Sequence, residues 1–174
     1  MSITKQEVEA AQASWGAGII RIGKAHSEGG DYVGAAQEHL NTLYGYHLGD
    51  VVFKPTLAAE AQFRNDVEGA LSYFVGGNDD YDDLGFAIGS APDPVTGERS
   101  PWADSWFDRS VRRLDGNTAI VQGLLYTEDE NGTVGYVDKT WGFQKDDFGD
   151  VRIVLHHSSS PYETIDQPKE VQNL

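Results

Sequence analysis

Residues 106–159, WFDRSVRRLDGNTAIVQGLLYTEDENGTVGYVDKTWGFQKDDFGDVRIVLHHSS, decide the fold. Four strand-like runs stand out: Trp106 to Leu114, Thr118 to Thr127, Val134 to Gln144 and Val151 to Ser159. They are separated by Asp115-Gly116-Asn117, an acidic turn ending at Gly132, and Asp146 to Asp150. Short turns rich in Asp, Asn and Gly between β-rich runs predict an antiparallel meander.

The chain before it reads differently. Val8, Ala11, Trp15, Ile19 and Ile22 recur at helical spacing, and Thr4 with Glu7 forms a capping box. Gly29-Gly30 ends this helix, and Asp31 caps a second one carrying Val33, Ala36, Leu40, Leu43 and Tyr44. A short strand at Val51-Val52-Phe53 precedes Pro55, and a third helix covers Asp66 to Phe74, closed by Gly76-Gly77. Residues 78–105, rich in Asp, Gly and Pro, read mostly as a long surface loop of the kind that often covers a site. Helices first and antiparallel strands after predict an α+β fold, with the helices on one face of a curved sheet. The expected organisation is one domain over 1–162 and a polar, fraying tail over 163–174.

Composition excludes several functions. Lys plus Arg number 13 and Asp plus Glu 28, a net charge of −15 that opposes nucleic acids and anionic membranes. Cysteine is absent, which removes disulfides, thiolate nucleophiles and sulfur-ligated zinc. His156 and His157 are adjacent and so face opposite sides of a strand, while His26, His39 and His47 have no paired spacing; no metal site is expected. The run Asn78 to Asp83 lacks the glycine and terminal Glu of a calcium loop in register, so it reads as a solvated acidic loop. Gly16, Gly18 and Gly23 match no phosphate loop and are expected to let helices pack closely. Met1 to Glu9 has no apolar leader segment, so a cytoplasmic location is expected.

Strand alternation puts Val151, Ile153, Leu155, His157 and Ser159 on one face of the last strand, and Val154, His156 and Ser158 on the other. The first set is an apolar row ending in an imidazole and a hydroxyl, which suits a largely dry pocket with a polar end. An equally simple reading has His157 bonded to a core partner and the serines closing the strand. Thr56 and Tyr73 also offer hydroxyls among apolar neighbours, although each alone reads as a cap or a core aromatic.

Together, Ala11 to Gly16, Phe53 to Thr56 (Phe-Lys-Pro-Thr), Ser72 to Gly77 (Ser-Tyr-Phe-Val-Gly-Gly) and His156 to Tyr162 resemble the iota-class carbonic anhydrases, over essentially the whole chain to Tyr162. That family is a branch of the cone-shaped, nuclear-transport-factor-like superfold, related to the association domain of calmodulin-dependent kinases. The resemblance implies reversible hydration of carbon dioxide to bicarbonate without a required metal or cofactor. It implies catalytic Thr56, Tyr73, His157 and Ser159, with Thr56, Tyr73, Ser159, His156 and Ser158 as the substrate-binding candidates. The alternative register, His156 with Ser158, is open on spacing; continuity of the apolar face favours the first. An imidazole titrating near ~6.5 suits a proton acceptor, and hydroxyls suit a developing anion. The stretch Ser90 to Ser105 reads as an insertion relative to shorter members.

Two other readings compete. A non-catalytic cone-fold dimerisation or small-ligand domain needs no chemistry. A ring isomerase or dehydratase would need an acidic base, for which Asp138 is the one candidate. A homodimer is expected through the outer sheet face, with Trp106, Trp141 and Phe143 as candidate contacts.

Overall fold

In the computed structural model residues 1–162 are described. The tail 163–174 falls outside them, and the expectation for it with it. The order is α1 (Lys5–Ser27), α2 (Tyr32–Leu43), β1 (Val52–Lys54), α3 (Val67–Val75), a 3-10 turn (Phe86–Ile88), then β2 (Trp102–Asp115), β3 (Thr118–Asp129), β4 (Val134–Lys145) and β5 (Val151–Ser159). The sheet runs β1-β5-β4-β3-β2. The meander is antiparallel as expected; β1 adds a short parallel pairing to β5, with Phe53 opposite His156.

The caps act where the sequence put them. Thr4 and Glu7 form a reciprocal capping box on α1, Asp31 Oδ1 accepts from Gly34 N–H at 2.8 Å, and Asp66 caps α3. The α1 stripe of Val8, Trp15, Ile19 and Ile22 is fully buried in one core with Val121, Leu125, Trp141, Phe143 and Ile153 from the sheet. A full α1 side chain is excluded at three glycines. A Cβ on Gly18 would lie 2.0 Å from His39 Nδ1, on Gly16 2.9 Å from Ser105 Oγ, and on Gly23 2.9 Å from the Ala87 carbonyl. Close packing is therefore their role, as their positions inside a helix implied.

Trp141 and Phe143 are core residues at 1% exposure, contrary to their candidacy for the outer face. Alternation on β4 sends them inward with Val137 and Lys139, whereas Trp106 points outward and stacks on Tyr126 at 5.2 Å.

Candidate active site

Two irregularities shape β5. Gly142 pairs with Leu155 and Phe143 with Ile153, so β5 carries one extra residue, Val154, against β4. Such a bulge resets the alternation. Ile153 points inward before it, and His156 and Ser158 point inward after it, while His157 is exposed and Ser159 half-buried on the other side. The expected inward pair His157/Ser159 is therefore reversed. A continuous two-residue period carried through the extra residue assigns every later side chain to the wrong face. Gly142 is the residue that accommodates the bulge, since a Cβ there would meet Leu155 Cβ at 2.8 Å.

The second irregularity is the parallel strand β1, which lays Phe53 flat on the His156 ring at 4.1 Å between centroids. Trp141 covers it from another side at 4.4 Å and Trp15 meets it edge-on at 5.7 Å. Enclosed in this way, His156 has no exposed surface, and burial holds its pKa well below the ordinary range. Its Nδ1 lies 2.8 Å from the Tyr44 hydroxyl, which accepts the Trp15 indole N–H at 2.9 Å. Its Nε2 is in contact with Lys139 Nζ.

Lys139 is 4% exposed, with Nζ 4.7 Å from the Trp15 ring centre and 4.9 Å from that of Trp141. Among the described residues no carboxylate comes within ion-pair distance of it. Two indole faces stabilise an ammonium by about 2 kcal/mol, against several kcal/mol for stripping one of water. Burial wins, and the Lys139 pKa falls well below its ordinary value.

Beside this cluster lies a cavity of about 440 Å³. Thr56, Tyr73, Ser158, Thr127 and Lys139 line it, with Leu125 among its apolar lining. His156, His157 and Ser159 are not on that wall. Thr56, just past β1, has a buried Oγ1 with no hydrogen-bond partner among the described residues. Tyr73, on α3, is held protonated because burial raises its pKa, and the Leu57 N–H bonds its oxygen. The Gly76-Gly77 motif after α3 sits at φ 71° and 80°, a left-handed turn that glycine tolerates and that carries the chain into the 78–101 loop.

That loop forms much of the cavity wall, from Asp82 to Arg99. Arg99 pins it by donating to the carbonyls of Ser90 (2.8 Å), Gly85 (2.8 Å), Gly89 (2.6 Å) and Leu84. Asp83 departs from the expected solvated run. Its carboxylate is 1% exposed and takes Arg64 Nη2 at 2.8 Å, Arg64 Nε at 3.2 Å and Ser72 Oγ at 2.7 Å. The Ser72 bond ties the loop to α3 one residue before Tyr73, and the forked Arg64 pair holds the same carboxylate. Among the described residues no group of three or more His, Cys, Asp or Glu is placed to hold a metal ion.

Comparison with known proteins identifies the family. The family model of metal-independent carbonic anhydrases matches residues 6–160. A metal-independent carbonic anhydrase of Nostoc sp. (strain PCC 7120) is 39% identical over 166 residues, 93% of this chain and 76% of the relative. The crystal structure of a cyanobacterial iota-carbonic anhydrase complexed with bicarbonate superposes with a TM-score of 0.85 at 38% identity, covering 94% of this chain and 95% of the other. A nuclear transport factor 2-like superfamily protein of Salmonella enterica serovar Typhimurium shares the fold alone, with a TM-score of 0.50 at 14% identity over 94% of this chain and 95% of the other. The expected fold is thus the observed one, and the chain belongs to the metal-independent carbonic anhydrases.

Proposed function

We propose that the reversible hydration of carbon dioxide takes place in the cavity between α3, β4, β5 and the 78–101 loop, with Thr56, Tyr73 and Ser158 as its hydroxyl donors. One observation carries the assignment: three hydroxyl-bearing residues from separate elements line one mainly apolar cavity, and Thr56 Oγ1 is buried there without a partner among the described residues. An unpaired buried hydroxyl costs free energy unless a ligand satisfies it. Carbon dioxide is small and apolar, and suits the Leu125 side of the wall. As water adds to its carbon and gives up one proton to solvent, negative charge grows on the carbonyl oxygens, where protonated Tyr73, Thr56 and Ser158 donate. Fixed donors aimed at developing charge are the largest single source of such stabilisation. Bicarbonate, the ligand of the cyanobacterial relative's crystal structure, offers these donors three oxygens.

The test is stopped-flow hydration in EDTA. Wild type should be active, and Thr56→Val and Tyr73→Phe should each lose roughly 10²-fold in kcat with the fold intact. Full activity in both variants would move the site elsewhere. No hydration by wild type would instead favour a non-catalytic binding domain.

A homodimer through the outer face of the sheet is part of the same proposal. Trp106 stacks on Tyr126 there at 5.2 Å and Tyr126 meets Tyr136 in a tilted pair at 5.3 Å, Tyr136 also bordering the cavity, with Ile120 exposed on the outer face as well. A contiguous exposed apolar row is unusual for a monomer and fits a second copy by two-fold symmetry. Sedimentation at micromolar concentration should give twice the 19.1 kDa chain mass; a monomer would overturn it.

A further inference from the structure

The hydrogen bonds behind the cavity have a fixed direction. An indole N–H can only donate, so Trp15 Nε1–H fills one acceptor position on the Tyr44 oxygen at 2.9 Å. The Tyr44 O–H must then donate, and its one acceptor among the described residues is His156 Nδ1 at 2.8 Å. An imidazole whose Nδ1 accepts carries its proton on Nε2, and Nε2 faces Lys139 Nζ. The group receiving that N–H needs a lone pair, which an amine has and an ammonium lacks.

From this chain and the place of Lys139 on the cavity wall, we infer that Lys139 is a further substrate-binding residue. It serves as an uncharged amine whose lone pair is occupied by His156 and whose two N–H groups are free for the oxygens of carbon dioxide or bicarbonate. His156, absent from the cavity wall and engaged at both ring nitrogens, is a positioning residue acting through Lys139. The inference rests on the placement of the reaction in this cavity. The surroundings agree with it. Titratable neighbours are His156 on β5, with Tyr44 and His39 of the α2 region behind it. Tyr73, Asp82, Asp83, Arg99 and Tyr136 belong to the same cavity wall, and Asp83 is committed to Arg64. Burial alone would also favour the uncharged amine.

An uncharged donor has a functional consequence. It contacts a developing anion without the full charge attraction that would retain bicarbonate after the reaction. Uniformly tight product binding does not raise turnover.

The experiment has a part that does not depend on activity. In the 15N-labelled full-length protein at about pH 8, where a solvated lysine is an ammonium, Lys139 Nζ should show the resonance of an uncharged amine. His156 should show an unprotonated Nδ1 and a protonated Nε2. An ammonium signal, or protonation on Nδ1, overturns the inference even if the enzyme hydrates carbon dioxide normally. In the second part, Lys139→Arg installs a permanent cation and should tighten bicarbonate binding about tenfold while lowering kcat. Lys139→Met should weaken bicarbonate binding about tenfold and lower kcat by roughly 10². Unchanged bicarbonate affinity in both folded variants overturns it. Inactive wild type with the expected NMR signature would count against the cavity reaction, not against the state of Lys139.

Discussion

Tyr44→Phe removes one oxygen from the centre of the molecule and leaves its ring in place. The ring keeps its stack on Tyr46 at 5.9 Å and its contact with Phe53 at 6.0 Å, so little apolar packing is lost. Two buried polar groups lose their partner: the Trp15 indole N–H and His156 Nδ1, on residues with 0% exposure. Each orphaned group costs about 1–3 kcal/mol, giving a loss of about 2–6 kcal/mol. At about 2–4 °C per kcal/mol for a chain of this size, Tm should fall by roughly 4–24 °C. Urea unfolding followed by tryptophan fluorescence, with calorimetry for Tm, measures both. The tautomer of His156 is no longer fixed in the variant, so kcat should fall although Tyr44 is not on the cavity wall. A variant destabilised by less than about 1 kcal/mol would refute the reasoning, because the hydrogen-bond chain would then be dispensable.

Other outcomes follow from individual contacts. Gly18→Ala on an exposed helix would gain ~1 kcal/mol from propensity, but here its Cβ would lie 2.0 Å from His39 Nδ1, and urea unfolding should show a net loss. His39 is buried with its pKa lowered to about 3, so between the unfolded value near 6.5 and about 3 the unfolded chain binds a proton that the folded chain does not. Stability should therefore fall as pH drops through that window, by ~1.4 kcal/mol per unit from this residue, and His39→Leu should flatten the urea-versus-pH profile. Asp83→Ala leaves Arg64 as an unpaired buried cation and should cost about 3–5 kcal/mol; thermal melting measures it.

Most of the architecture was legible because it rests on local chemistry. The capping box at Thr4 and Glu7, the 3.6-residue stripe through Trp15, and the Asp-Gly-Asn turn at 115–117 each act over a few residues. The parts that were not legible are non-local. The bulge at Val154 depends on how β5 lies against β4, and nothing in VRIVLHHSS signals an extra residue. Hence an uninterrupted two-residue period places the motif's hydroxyl and imidazole on the wrong face, although the motif itself is legible. Lys139 carried a usable signal: it alternates with Val137, Trp141 and Phe143, which puts an amine on an apolar strand face. Asp83 was hidden within an acidic run, and only Arg64, 19 residues away, shows that it is buried.

The central claim is that the inward face of β5 carries the chemistry. Hydration of carbon dioxide in EDTA by Ser158→Ala and Ser159→Ala, compared side by side, tests it most directly. Each variant deletes one oxygen and leaves the strand's backbone pairing intact. Ser158→Ala should lose roughly 10²-fold in kcat and Ser159→Ala should keep near wild-type turnover. The opposite pattern, or equal activity in the two, would contradict it.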